Sequence, residues 1–325
     1  MRLGRRRHMS KHDKEQIAVV STGVIGANWA TLFLARGHDV IATDPAPDAE
    51  ALLRARVTAQ WPTMTALGLA EGADPGRLRF TRSLEEAVSG ATFVQENAPE
   101  RLDLKIELFR RMGVAAPPDT VLASSSSGLA VSDMQQACAH PERVVLGHPF
   151  NPPHLIPLVE VGGGAHTSAR AIERAMAFYA ALGKRPVHVR REISGHIANR
   201  LQAALWREAI HLVEQDVASV ADIDTVIAHG PGLRWALLGP FLNLHLSGGA
   251  GGIEHLLDHL GPPMEEWWRD LGSPRLTEAL KHKLISGVAH SAGSAGTSDL
   301  EARRDRLLLE LLRLKAADTQ QERPA

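Results

Sequence analysis

Apolar positions along the chain follow two different periods. From Gln16 to about Arg190, short β-branched runs occur at Ile17–Val20, Val40–Thr43, Thr92–Val94, Val121–Ala123, Val144–Leu146 and Leu158–Val161. Longer helical stretches separate several of them, including Ala27–Arg36, Ala49–Leu67 and Leu104–Met112. The short runs have strand length and the long ones helix length. Such alternation predicts an α/β fold, a doubly wound parallel sheet with helices on both faces. Val187–Val189 predicts a last edge strand. Beyond Glu192 the period becomes helical throughout. Ser194 stands where a capping residue would open a helix with apolar Ile197, Leu201, Leu205, Leu212 and Val213. Leu256–Leu260, Leu276–Leu284 and Leu307–Leu314 continue this all-α part, and Gly230–Gly232, Gly248–Gly252 and Gly261–Pro263 predict breaks in it. The expected organisation is a disordered tail over 1–15, a sheet domain over 16–190, a helical substrate and dimerisation domain over 191–317, and a disordered tail over 318–325.

Composition narrows the partners. With 325 residues, 44% of them hydrophobic, the chain has enough material for two cores. A formal charge of -1 gives no electrostatic case for nucleic acid or an anionic membrane. Cys138 is the only cysteine, so no disulfide framework exists within the chain, which suits a reducing cytoplasm. No apolar run approaches the ~20 residues of a membrane span. Met1–Lys14 carries Arg2, Arg5, Arg6 and Arg7 without a following apolar segment, which predicts a solvated tail rather than a secretory signal.

Two stretches carry candidate chemistry. The first is Ser21-Thr22-Gly23-Val24-Ile25-Gly26, between a predicted strand and a predicted helix. A dinucleotide-binding turn of the form G-x-G-x-x-G lets the backbone approach a pyrophosphate at a helix N-terminus. Here Gly23 and Gly26 are present and Ser21 replaces the first glycine. Asp44 ends the second predicted strand, where a carboxylate accepts hydrogen bonds from ribose hydroxyls and repels a 2′-phosphate. Pro45 follows with no adjacent arginine, so NAD is expected rather than NADP. Ser21 leaves two outcomes open: the turn accommodates serine and NAD binds, or cofactor binding has decayed.

The second stretch is Gly147-His148-Pro149-Phe150-Asn151-Pro152, read as a turn, followed by Leu158-Val159-Glu160 at the end of an apolar run. A carboxylate held against an imidazole fixes its tautomer and stabilises its protonated form, which suits a base that takes a proton from an alcohol.

With Glu96-Asn97-Ala98-Pro99-Glu100, Ala123–Leu129 and Gly195-His196-Ile197-Ala198-Asn199-Arg200, these segments resemble the L-3-hydroxyacyl-CoA dehydrogenase superfamily over Gln16 to about Leu260. The resemblance implies a Rossmann-type domain followed by a helical domain that forms a homodimer. It implies His148 as catalytic base, Glu160 as its orienting partner, and Ser127 and Asn199 as polar groups at the reacting oxygen. It implies Asn151 near the nicotinamide and Glu96 at the cofactor edge of the sheet. Arg101 and the turn Ser21, Gly23, Val24, Ile25 and Gly26 join Asp44 as the expected cofactor-binding set. No metal is expected: His255 and His259 have helix-face spacing, but Leu256 stands where a zinc protease has glutamate.

Within the superfamily, His148-Pro149 and the stretches Phe93–Lys105, Ala203–Ala209 and Leu233–Trp235 resemble the branch acting on small free 3-hydroxy acids. No lysine lies between Lys14 and Lys105, where acyl-CoA enzymes place part of their phosphate site. A substrate with a quaternary ammonium would favour an aromatic wall, for which Trp235 with Phe241 is the candidate, with Arg234 for a carboxylate. A polyol acid would favour polar side chains instead. A non-catalytic NAD-binding or structural homologue is the alternative from another class.

Overall fold

The computed structural model describes residues 15–321. The expected tail Met1–Lys14 and the last part of the expected C-terminal tail lie outside the described residues.

Eight strands form one sheet: β1 (Gln16–Val20), β2 (Asp39–Thr43), β3 (Leu78–Thr81), β4 (Phe93–Glu96), β5 (Val121–Ser124), β6 (Val144–Pro149), β7 (Leu158–Gly163) and β8 (Arg185–Val189). Their order is β3-β2-β1-β4-β5-β6-β7-β8. All neighbours are parallel except β6 and β7, which run antiparallel. Strand order reverses between β1 and β4, and open sheets bind ligands at the carboxyl ends flanking such a reversal.

Alternation along each strand sends neighbouring side chains to opposite faces. Phe93 packs with Trp29 and Phe33 of α1 (Val24–Ala35) and with Phe178 and Tyr179 of the helix Ala169–Ala181. Its neighbour Val94 packs with Phe109 and Met112 of the helix Leu102–Ala115. Phe93 stacks on Phe178 at 3.9 Å between ring centroids. Truncating Phe93 to alanine would cost about 3–5 kcal/mol by leaving a cavity between sheet and helices.

β3 was not anticipated. Its sequence, Leu-Arg-Phe-Thr, buries only Leu78, as an edge strand does. His148 and Pro149 belong to β6 rather than to a turn. Glycine and proline suggested a turn there, but Gly147 is required by packing: a Cβ would fall 2.0 Å from the Tyr179 hydroxyl.

The chain divides between Asn199 and Arg200. The second unit is built from the helices Val220–His229, Pro231–Leu238, Pro240–Ser247, Gly252–Asp270, Glu278–Ala292 and Thr297–Gln321, preceded by the helix Ala198–Glu214. The expected break at Gly261–Pro263 is absent, because Gly252–Asp270 is continuous. Two prolines remove two amide donors, yet strong helix formers on both sides, Leu256, Leu257 and Leu260 before them and Met264–Glu266 after, carry the helix through. The last helix also continues past residue 317. Ser194 lies in the turn four residues before Ala198 and is not the helix start.

Candidate active site

The histidine–carboxylate pair is set by strand register. His148 and Glu160 are directly opposed on antiparallel β6 and β7, so both side chains lie on one face. His148 Nδ1 is 2.9 Å from Glu160 Oε2, and both residues are buried. The other carboxylate oxygen, Oε1, accepts from the amides of Ile197 (2.8 Å) and Ala198 (2.9 Å). These open the helix Ala198–Glu214, so a sheet carboxylate fills the capping role that the sequence suggested for Ser194. Burial alone would raise the Glu160 pKa. The hydrogen bonds from His148 and the two amides outweigh it and hold the carboxyl below its usual range. An ionised Glu160 accepts from Nδ1–H, which leaves Nε2 of neutral His148 as the basic nitrogen.

Ser127 and Asn199 stand together beside this pair. Asn199 Nδ2 donates to the Ser127 carbonyl at 3.2 Å. The Ser127 hydroxyl has no partner among the described residues, and Ser127 is exposed. His196, not anticipated as a site residue, is buried with its ring centroid 5.3 Å from that of His148. Its Nε2 lies 3.2 Å from the Ser126 carbonyl, which requires the proton on Nε2. Burial, and then the neighbouring His148, push the His196 pKa down and favour the neutral ring. The only sequence signal for it was its place in the Gly195–Arg200 segment.

A second constellation lies at the carboxyl ends of β1 and β2. A cavity of about 610 Å³ is lined there by Ser21, Gly23, Asp44, Pro45 and Pro99. Asp44 Oδ2 accepts from the Thr22 amide at 2.8 Å and from the Ser21 and Thr22 hydroxyls at 3.3 Å, while Oδ1 accepts from Ala46 N at 2.9 Å. Ser21 adopts φ 69°, the left-handed conformation that suits the glycine it replaces. Gly26 is obligatory, since a Cβ there would lie 2.0 Å from the Ser21 carbonyl oxygen. Gly23 faces open space, and no side chain caps the first turn of α1, where Val24 and Ile25 stand. An open helix N-terminus, a bare backbone and a carboxylate beyond them fit a pyrophosphate with its ribose. The residues present therefore fit NAD.

Other expected residues stand apart from this cavity. Glu96 is fully buried and saturated by Lys105 Nζ (2.8 and 2.9 Å), Ser124 Oγ (2.6 Å) and Ala98 N (2.5 Å). It braces the end of β4 against the next helix. Arg101 is exposed and paired with Asp103. Asn151 is exposed just beyond β6. Two arginines do line the cavity, Arg111 and Arg82; Arg82 stands one residue past β3, and its Nη2 donates to the Pro47 carbonyl at 3.2 Å. Pro45 has no arginine beside it in sequence, but the unanticipated strand delivers one in space.

In the helical unit Trp235 and Phe241 are exposed on consecutive helices, and no ring contact joins them among the described residues. Arg234 is exposed, and its carbonyl accepts from Asn243 Nδ2. Among the described residues no three metal-ligating side chains cluster, and no helix is long and apolar enough to cross a membrane.

An NAD-fitting turn at the sheet's switch point and a buried His–Glu pair along the same sheet are the parts of a nicotinamide-dependent alcohol dehydrogenase. The chain belongs to the 3-hydroxyacyl-CoA dehydrogenase family: residues 16–193 match its NAD binding domain and residues 195–283 its C-terminal domain. It is an oxidoreductase with NAD as cofactor. It is 52% identical over 301 residues to an L-carnitine dehydrogenase of Streptomyces griseus, covering 93% of this chain and 90% of the relative. It is 50% identical over 295 residues to an L-carnitine dehydrogenase of Pseudomonas aeruginosa, covering 91% and 92%. Among solved structures, a 5-formyl-3-hydroxy-2-methylpyridine 4-carboxylic acid 5-dehydrogenase matches with TM-score 0.80 and 29% identity, covering 94% of this chain and 99% of the other.

Proposed function

We propose that this protein oxidises the 3-hydroxyl of L-carnitine to 3-dehydrocarnitine. The buried His148–Glu160 pair carries the chemistry of this reading, and the relatives named L-carnitine dehydrogenase carry the substrate. When bound, NAD supplies the carbon that accepts hydride. His148 Nε2 takes the hydroxyl proton as the C3–H bond gives up its electron pair. Glu160 orients the ring through Nδ1 and balances the imidazolium that forms. Ser127 Oγ and an Asn199 amide proton hydrogen-bond to the oxygen as it becomes a carbonyl. Asp44 accepts from the ribose hydroxyls, and Asn151 borders the nicotinamide.

The protein works as a homodimer in a reducing, cytoplasmic setting. The support for a partner of its own kind is that Leu201, Leu246, Trp267 and Trp268 of the helical unit are each at least 60% exposed, as large apolar side chains are where a second copy covers them. Mixing the protein and NAD with L-carnitine, L-gulonate or 3-hydroxybutyryl-CoA, and following NADH absorbance, tests the reading. Turnover of carnitine with the highest kcat/KM is expected. Preference for gulonate or the thioester would overturn the substrate. No turnover, with NAD failing to bind in calorimetry, would identify a non-catalytic homologue.

A further inference from the structure

The loop that carries Ser127 is organised around a carboxylate outside the proposed reaction chemistry. Glu100, four residues past β4, directs one oxygen, Oε1, at four donors: Ser126 Oγ at 2.6 Å and the amides of Ser127, Gly128 and Leu129 at 3.0, 2.9 and 3.2 Å. Ser126 Oγ in turn accepts from the Leu129 amide at 2.9 Å. Three successive amides turned to one point form an anion-binding nest, filled here by the protein's own side chain. From the other side, His196 and Asn199 hold the Ser126 and Ser127 carbonyls. The main chain at Ser127 is thus fixed at its amide and at its carbonyl, and its hydroxyl alone is uncommitted.

We propose that Glu100 is a positioning residue that fixes the Ser127 hydroxyl toward the reacting oxygen by gathering the amides of residues 127–129. This rests on the reading of Ser127 as a group that contacts that oxygen. Burial alone would raise the Glu100 pKa, but the Ser126 hydroxyl and the loop amides prevail and hold it below the usual carboxylate range, so the nest keeps its anion at neutral pH. Without the anion, three amides face an empty point and the loop relaxes. A displacement of about 1 Å at a group that orients a reacting atom costs up to roughly 100-fold in rate.

A double-mutant cycle tests this through kcat for Ser127→Ala, Glu100→Ala and the pair. Glu100→Ala is expected to lower kcat roughly 10- to 100-fold in the parent and less than about 2-fold in the Ser127→Ala background, because residues acting through one group are not additive. Glu100→Gln keeps an acceptor oxygen, so it is expected to recover part of the loss, and it carries the same cycle if the alanine variant does not fold. Equal losses in both backgrounds would overturn the proposal and leave the role of Ser127 standing. An unaffected Ser127→Ala would instead remove the reading on which it rests.

Discussion

Replacing Glu160 with glutamine isolates what the carboxylate does for His148. The two oxygens of Glu160 have separate tasks. Oε1 accepts from two helix amides at 2.8 and 2.9 Å, while Oε2 faces His148 Nδ1 at 2.9 Å. A glutamine in this pocket must keep its carbonyl on the two amides, because a buried NH2 against two N–H groups would leave three donors unmet. Its NH2 then points at His148 Nδ1, which can pair with it only as an acceptor. The imidazole proton moves to Nε2, and the nitrogen that should take the alcohol proton becomes a donor. The charge that balances the imidazolium is lost as well. A charge-assisted hydrogen bond contributes about 1.5–3 kcal/mol, and in the serine-protease triad the equivalent carboxylate-to-amide change lowers kcat about 10⁴-fold through the wrong tautomer. Glu160→Gln is therefore expected to lower kcat on the order of 10³- to 10⁴-fold, about 4–5.5 kcal/mol of activation free energy. Both amide partners survive, so thermal unfolding and NAD binding should change little. Steady-state kinetics at saturating NAD, with calorimetry and a melting curve, measure the three quantities. A folded, NAD-binding Glu160→Gln enzyme within tenfold of the parent kcat would refute the assigned base pair.

Further outcomes follow from other particulars. Ser21→Gly relieves a left-handed serine, about 1–2 kcal/mol, against about 0.5–1 kcal/mol of added chain entropy in the unfolded state. A rise of up to about 1 kcal/mol in urea-unfolding stability with NAD affinity kept is expected, and a fall would show that the hydroxyl on Asp44 matters more than the backbone. Asp44→Ser removes the charge that repels a 2′-phosphate while Arg82 remains in the same cavity. The kcat/KM ratio of NAD to NADP should fall at least about tenfold, and an unchanged ratio would mean Asp44 does not read the ribose. Burial lowers the Lys184 pKa to about 7, with Arg36 adding repulsion. Between that value and the ordinary 10.5 the unfolded chain binds the extra proton, so this group makes stability rise with pH across that window, by up to about 1.4 kcal/mol per unit, and levels off below 7 and above 10.5. Urea titrations at several pH values should show a slope that Lys184→Met flattens, and an equal slope in both proteins would place the titration elsewhere.

The sequence made the architecture legible wherever burial imposed a period. β1, β2 and β4 to β7 are buried runs, and each shows as a β-branched segment. β3 was hidden because an edge strand with Arg79 and Thr81 carries too little apolar pattern. Missing it also hid Arg82, since spatial neighbours across a sheet leave no trace in local sequence. His148 was legible as chemistry and misread as structure, because the packing demand of Tyr179 on Gly147 is a tertiary fact. Glu160 held a further surprise: its second oxygen starts a helix nearly forty residues away along the chain. Arg101 and Glu96 show the reverse case. The resemblance implied cofactor contact for both, and Asp103 and Lys105, a few residues on, pair with them.

The antiparallel pair β6–β7 also divides labour between inheritance and change. The proton-handling residues sit in the ladder, where register holds them. The eight residues from Phe150 to Pro157 that join the strands carry no member of the pair. That connection is moored by Lys184, which donates to the carbonyls of Pro153 and Ile156. Main-chain carbonyls are present whatever side chains stand there. Apart from Phe150, whose ring centroid lies 5.1 Å from that of His148, and Asn151, proposed to border the nicotinamide, side chains in this connection can therefore be exchanged while the chemical step and the mooring stay as they are, which makes residues 152–157 a natural segment for retargeting the enzyme.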